Sequence, residues 1–112
     1  MKKSIIFFLI IMSVVLIIGS VSSAETVVIY DVHEGDLNIA SNEEYSIYGI
    51  VNGDVTVEAL GVLNLYGIIN GTLILKANSI FKFYGQIEVD LINQGAQILV
   101  NEGNVIGKTI NQ

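Results

Sequence analysis

Residues 48–65 read YGIVNGDVTVEALGVLNL, and residues 66–83 read YGIINGTLILKANSIFKF. The two segments have the same length, both begin with Tyr-Gly, and both repeat glycine at their sixth position. Self-similarity at a short fixed period is the sequence signature of a repeat architecture, in which each repeat stacks on its neighbours. This stretch therefore predicts a solenoid built from 18-residue rows.

The period extends in both directions along the chain. Tyrosine opens four rows, at Tyr30, Tyr48, Tyr66 and Tyr84, and a partial row occupies residues 102–112. Glycine recurs at the second and sixth positions, which indicates a backbone bend at fixed phase because glycine allows positive φ and close approach. These coil-turn glycines are Gly35, Gly49, Gly53, Gly67, Gly71, Gly85, Gly103 and Gly107.

Between the glycines, apolar residues recur at every second position. Val55 and Val57 flank Thr56, and this spacing is the period of a strand with one buried face. Three strands of about six residues fill a row, so we expect an all-β fold, a three-sided parallel β-helix. An antiparallel meander or sandwich also tolerates glycine turns, but it gives side chains no reason to repeat at a fixed interval.

Stacked rows predict continuous inner columns, with irregular rows at two places. The expected columns are Leu37, Val55, Leu73 and Leu91; Ile39, Val57 and Leu75; Tyr45, Leu63, Phe81 and Leu99; Ile47, Leu65 and Phe83; and Val51, Ile69, Ile87 and Val105. In the fourth row Val89 replaces a glycine, and the row predicts a slip or bulge near residues 92–97. The acidic first row is typical of a solenoid cap, whereas the last partial row leaves an open strand edge.

Residues 1–24 have the layout of a secretory signal peptide. Two lysines precede an apolar run, and Ser22 and Ala24 place small residues before a cut that follows Ala24. The sequence thus predicts a hydrophobic signal helix followed by a secreted or cell-surface domain over residues 25–112. The alternative is an uncleaved membrane anchor, because the apolar stretch approaches the length of a spanning helix. Membrane contact would then be confined to residues 1–24.

The amino-acid composition disfavours two classes of protein, nucleic-acid binders and disulfide scaffolds. The chain is 52% apolar and 14% charged, with 11 acidic and 5 basic residues, and it contains no cysteine or proline. Beyond Ala24, three lysines face 11 acids, a net charge of −8, and there is no arginine. So acidic a domain disfavours a nucleic-acid partner, and the lack of cysteine disfavours a disulfide scaffold.

Few side chains suit catalysis or metal binding. His33 is the one histidine and falls in an apolar column, so we interpret it as a partly covered residue of the first row rather than a general base. Asp36, Asp54 and Asp90 share a column that a hard cation would stabilise, although aspartate after glycine more often bonds to nearby backbone. We expect no enzyme activity, no metal site and no cofactor.

Two sets of exposed side chains are candidate contact surfaces. The four tyrosines predict a corner ladder that locks the register between rows, or alternatively a stripe that binds glycan. Outward-facing isoleucines favour self-association, and they are Ile50, Ile68, Ile74, Ile92 and Ile110.

Residues 49–57 read GIVNGDVTV, and residues 67–75 read GIINGTLIL. These rows resemble those of bactofilins, the polymer-forming cytoskeletal proteins of bacteria, and the likeness spans most of residues 46–107. It implies a small β-helical domain that assembles end to end into nonpolar filaments without a nucleotide cofactor. The predicted export departs from that family, whose members are typically cytoplasmic.

Together these features predict an exported, noncatalytic structural protein at the cell envelope. Backbone groups of the last row would pair with the first row of the next molecule, so we expect a homo-oligomer or polymer. The alternative is a monomeric module that binds glycan or a partner protein through the tyrosine ladder or the acidic first row.

Overall fold

Residues 25–112 form a parallel β-solenoid in the computed structural model, which describes that range. The predicted signal helix over residues 1–24 lies outside the described residues. Fifteen short strands make three parallel sheets of five strands each. Each strand residue pairs with the residue at the equivalent position of the next coil, as in the series Tyr45, Leu63 and Phe81. The predicted all-β, three-sided parallel architecture is confirmed.

Each coil contributes one strand to every sheet, in the order A, B, C. Sheet A contains β1 (Glu25–Ile29), β4 (Glu43–Ile47), β7 (Val62–Leu65), β10 (Ile80–Phe83) and β13 (Gln97–Asn101). Sheet B contains β2 (Val32–Glu34), β5 (Ile50–Asn52), β8 (Ile68–Ile69), β11 (Gln86–Ile87) and β14 (Asn104–Val105). Sheet C contains β3 (Leu37–Ile39), β6 (Val55–Val57), β9 (Leu73–Leu75), β12 (Leu91–Asn93) and β15 (Thr109–Asn111). These strands are shorter than predicted because the corners occupy part of every coil.

The five coils span residues 25–42, 43–60, 61–78, 79–96 and 97–112. Tyr-Gly pairs form the A–B corner in the second, third and fourth coils, and most coils place Gly-Asp or Gly-Thr at the B–C corner. A longer loop, such as residues 58–61, forms the C–A corner. Side chains at equivalent positions of successive coils therefore stack in columns parallel to the solenoid axis.

The core is a stack of apolar side chains that fills the space between the three sheets. Fourteen apolar residues are buried, and they come from alternate positions of the strands. In β6, for example, Val55 and Val57 are buried while Thr56 is half-buried on the outer face. Burial of each aliphatic or phenylalanine side chain stabilises the folded state by roughly 1.5–3 kcal/mol relative to leaving it exposed. The alternating pattern in the sequence therefore fixes which face of each strand points inward.

The A–B corner brings successive coils too close for any side chain at its glycine. A Cβ on Gly49, Gly67 or Gly85 would overlap the carbonyl oxygen of the equivalent residue in the preceding coil. The next residue donates its N–H to that same oxygen, from Ile50 to Asp31 at 3.1 Å and from Ile68 to Gly49 at 3.0 Å. Glycine is thus required here by close approach rather than by positive φ.

The irregularity that the sequence predicts has two linked parts, at the end of the fourth coil and the start of the fifth. The C–A corner of the fourth coil is one residue shorter than the corner before it, so Phe81 pairs with Ile98 rather than with Leu99. The usual spacing returns at Lys82 and Val100, because Leu99 is an extra residue that forms a β-bulge. The bulge lies beyond the predicted range of residues 92–97, whereas the shortened corner lies within it.

The predicted inner position of Leu99 is wrong for this reason. Its side chain is 50% exposed, and Ile98 packs against the core in its place. A strictly constant row length assigns Leu99 to the column of Leu63 and Phe81. The shortened corner moves that column by one residue, which reverses the face of a strand side chain.

Gly67→Ala is expected to lower the free energy of unfolding by about 1–3 kcal/mol, because the new Cβ forces two coils apart. Asp31→Ala, at the same position of the first coil, is the matched control and should change stability by less than about 0.5 kcal/mol. Urea unfolding followed by circular dichroism measures both variants. Equal losses for the two substitutions would contradict the role assigned to glycine.

Candidate interaction surfaces

Four tyrosine side chains form a continuous ladder along the A–B corner. Successive ring centroids, from Tyr30 through Tyr48 and Tyr66 to Tyr84, are 5.4, 4.6 and 4.8 Å apart, with interplanar angles of 16°, 5° and 2°. Parallel strands place identical positions one inter-strand spacing apart, and tyrosine rings at that spacing stack. A shift of one residue between coils would break this stack, so the ladder favours the observed register.

Stacking also limits what the ladder can bind. Each inner ring is covered on both faces by its neighbours, so the side of the ladder presents ring edges and hydroxyl groups. A sugar ring that stacks on an aromatic residue needs an open ring face. Such a face remains at the N-terminal end of the ladder, where the Tyr30 side chain is 72% exposed, whereas Tyr84 at the other end is 39% exposed.

The aspartates at the B–C corner bind the backbone of the following coil. Oδ1 of Asp36, Asp54 and Asp90 accepts the N–H of Asp54, Thr72 and Lys108 respectively, each at 2.8 Å. The expected aspartate–backbone bonds therefore cross between coils rather than closing a turn within one coil. Within residues 25–112, no group of three or more His, Cys, Asp or Glu side chains is placed to hold a metal ion.

Amide side chains on the outer faces form directional hydrogen-bond ladders. On sheet B, Asn70 Nδ2 donates to Asn52 Oδ1 at 2.7 Å, and Asn52 Nδ2 donates to Glu34 Oε2 at 3.0 Å. On sheet A, Asn64 Nδ2 donates to Glu44 Oε2 at 2.8 Å. An ionised carboxylate only accepts hydrogen bonds, so on sheets A and B glutamate ends the series on its N-terminal side. On sheet C the direction is reversed, because Asn38 Nδ2 donates to Glu58 Oε2 of the following coil at 2.9 Å.

Charge is divided unequally along the axis. The first two coils contain eight acids and no lysine, whereas the last three coils contain three acids and three lysines. The acids of the first two coils are Glu25, Asp31, Glu34, Asp36, Glu43, Glu44, Asp54 and Glu58. The whole net charge of the solenoid therefore lies in its N-terminal two coils.

At the N-terminal end of the core, His33 and Tyr45 are half-buried beside this acidic surface. Burial raises the pKa of the Tyr45 phenol, and the nearby carboxylates of Glu43 and Glu25 raise it further. The inward-facing position of His33 is continued by buried Val51 in the next coil. His33 therefore belongs to the end of an apolar column, as the sequence predicts.

The five isoleucines predicted to face outward lie in two separate stripes. Ile50 and Ile68 pair on sheet B, while Ile74, Ile92 and Ile110 pair in succession on sheet C. The first four are half-buried, and Ile110 is 37% exposed. The glycines and aspartates of the B–C corner separate the stripes, so they do not form one continuous apolar patch.

The C–A corner contains a feature that sequence reasoning missed. Asn42, Leu60, Asn78 and Gly95 occupy equivalent corner positions, and all have positive φ, at 65°, 67°, 68° and 112°. Beside them runs a shallow groove of about 710 Å³ lined by neutral side chains, Leu60 and Ile80 among them. In the sequence, Asn42 and Asn78 occupy the same position two coils apart, and asparagine there indicates a left-handed backbone conformation. Leu60 occupies that position in the coil between them and interrupts the pattern.

Leu60 is the exception in this column. A left-handed backbone conformation costs roughly 1–2 kcal/mol for an ordinary residue, and less for asparagine or glycine. The Leu60 side chain is also 58% exposed, so little apolar burial offsets the strain. The groove therefore has one strained and exposed apolar residue at its rim.

Neither a family model, nor a curated protein, nor a solved structure matches this chain. Residues 25–112 contain no helix that is long and apolar enough to cross a membrane.

Leu60→Asn is expected to raise the free energy of unfolding by about 1 kcal/mol, because asparagine adopts the left-handed conformation at lower cost. Asn78→Leu, at the equivalent position of the next coil, should lower stability by a similar amount. Thermal unfolding of both variants checks the pair. A loss of stability in Leu60→Asn would mean that apolar contacts of Leu60, rather than its backbone strain, dominate at this corner.

Proposed function

We propose that this protein is a noncatalytic structural protein of the cell envelope, exported through its N-terminal segment, whose solenoids associate end to end by strand stacking. The observation that carries the proposal is the unpaired strand edge of the fifth coil. Among residues 25–112, β13, β14 and β15 each pair with one neighbour only. Ile98 and Val105 are half-buried there, although their columns are fully buried in the middle coils.

An open solenoid end exposes two kinds of group that a second molecule can satisfy. Unpaired backbone N–H and C=O groups along a strand edge are a template for another strand. Inner apolar side chains gain burial when a further coil covers them. A structural role that uses these ends follows directly from the repeat.

A noncatalytic role is supported by the use already made of the carboxylates. Asp36, Asp54 and Asp90 accept backbone N–H groups, and Glu34 and Glu44 accept amide donors. A catalytic pair in a glycosidase needs two carboxyl groups at a set separation around a substrate. Here the acidic side chains instead join one coil to the next.

Residues 1–24 support export, because their lysines, apolar run and small residues follow the signal-peptide layout. The resemblance of residues 49–57 and 67–75 to bactofilin rows supports an assembling role. The proposal places such an assembly outside the cytoplasm, in the secreted or surface-bound form that the leading segment implies.

The second candidate is a monomeric module for glycan or a partner protein. The exposed ring of Tyr30 favours it, because this end of the ladder offers an open aromatic face beside acidic Asp31. In this case Tyr30→Ala would abolish retention on a glycan array, while Tyr66→Ala, within the covered part of the ladder, would not.

Sedimentation velocity and electron microscopy of the full chain in a mild detergent, at rising concentration, test the proposal. We expect species larger than one chain, and we expect Thr109→Asp to remove them, because Thr109 continues the inner column of Leu91 at the open end. Thr56→Asp adds the same charge to the outer face of the same sheet and should leave association intact. Monomers at every concentration would contradict the proposed function.

A further inference from the structure

We propose that the two ends of the solenoid are not equivalent: Asp31 closes the N-terminal face, and association joins the C-terminal coil of one copy to the C-terminal coil of a second copy. This inference rests on the proposed function, since it specifies which surfaces associate end to end. The partner is a second copy of this chain, and the product is a dimer rather than an open polymer.

Asp31 blocks regular stacking on the N-terminal face sterically, at the A–B corner. In the second, third and fourth coils, this position is Gly49, Gly67 or Gly85, and a Cβ there would overlap a carbonyl oxygen of the coil on the N-terminal side. Asp31 occupies the same position in the first coil, and its carbonyl accepts the N–H of Ile50 as its counterparts do in later coils. Its Cβ therefore points out of the N-terminal face.

A head-to-tail junction would place the last coil of one copy beneath this Cβ. Gly103 is the equivalent residue of the last coil. Within the solenoid, a Cβ on Gly49 would overlap the carbonyl oxygen of Asp31. At a head-to-tail junction the Asp31 Cβ would overlap the carbonyl oxygen of Gly103 in the same way. Regular continuation of the solenoid is thus blocked at the A–B corner.

Repulsion between carboxylates disfavours association of two N-terminal faces. The first coil contains four carboxylates, from Glu25, Asp31, Glu34 and Asp36, and no lysine. Two such faces would bring eight carboxylates together with no lysine or arginine from either coil. Like charges brought together in this way disfavour association.

The C-terminal coil has neither obstacle. The opposite charges of Glu102 and Lys108 cancel. This coil also contains five neutral amide side chains: Gln97, Asn101, Asn104, Asn111 and Gln112. Amide side chains both donate and accept hydrogen bonds, so they can pair with their own copies. Two such coils related by a two-fold axis meet with antiparallel edges, the self-complementary arrangement of an isologous dimer.

The contact is small. Strands of five residues such as β13 give an end face roughly 17 Å on a side at about 3.3 Å per residue. That area falls well below the roughly 800 Å² per partner of a standard interface. The dimer is therefore weak and concentration-dependent, and a covalent trap is the suitable way to detect it.

The chain has no cysteine, so one introduced cysteine is its sole thiol. Asn38→Cys and Ile110→Cys occupy the same outer column of sheet C in the first and last coils. Each full chain, and an equal mixture of both, is treated in detergent with a bifunctional thiol crosslinker that spans the end face. We expect dimers from Ile110→Cys alone, none from Asn38→Cys alone, and no additional product from the mixture.

The other outcomes separate the two proposals. A crosslink between Asn38→Cys and Ile110→Cys chains would show head-to-tail growth, and one within Asn38→Cys would show that the N-terminal face associates. Either result overturns the closed face while end-to-end association stands. If no chain crosslinks at any concentration, end-to-end association itself fails.

Asp31→Gly tests the steric block directly. It removes the obstructing Cβ, so the mixture of Asn38→Cys and Ile110→Cys chains should now yield mixed dimers at least several-fold above the unmodified background. Asp31→Ala is the matched control, because it removes the charge and keeps the Cβ, and it should yield none. Mixed dimers in equal amount from both backgrounds would show that charge, rather than the Cβ, closes the face.

Discussion

Backbones of successive coils approach so closely at the A–B corner that only glycine fits between them. At Gly49, Gly67 and Gly85 the carbonyl oxygen of the preceding coil occupies the space that a Cβ would need. This contact fixes where each coil sits on the one before it. Ring stacking of the tyrosines, aspartate–backbone bonds and the inner apolar columns all require the translation between coils that this corner sets.

The polar groups of the protein follow from the same geometry. Once coils repeat, an acceptor in one coil faces a donor in the next, and bonds such as Asp54 to the Thr72 N–H recur at 18-residue separation. Ladders that run in one direction need an acceptor at one end, and Glu34 and Glu44 supply it. The acidity of the first two coils is therefore partly structural, and it makes the two ends chemically different.

Sequence reasoning predicted the fold because tyrosine and glycine recur every 18 residues. Ring stacking explains the tyrosine column, and close approach of the backbones explains the glycine column. Sequence reasoning failed where a corner changes in length, as at Leu99, whose exposure depends on the shortened corner at the end of the preceding coil. It also missed the left-handed column of the C–A corner, because Leu60 departs from its asparagine and glycine neighbours. The tyrosine ladder was predictable as a set, but the covering of ring faces needed the interplanar angles.

Deletion of a whole coil tests whether the 18-residue coil is the repeating unit of this fold. Removal of residues 61–78 joins the second coil to the fourth in register, so we expect a shorter protein with the β-sheet circular dichroism and cooperative thermal unfolding of the full chain. Removal of residues 61–77 shifts every later strand by one position and should abolish cooperative unfolding. Indistinguishable unfolding curves for the two deletions would contradict the account.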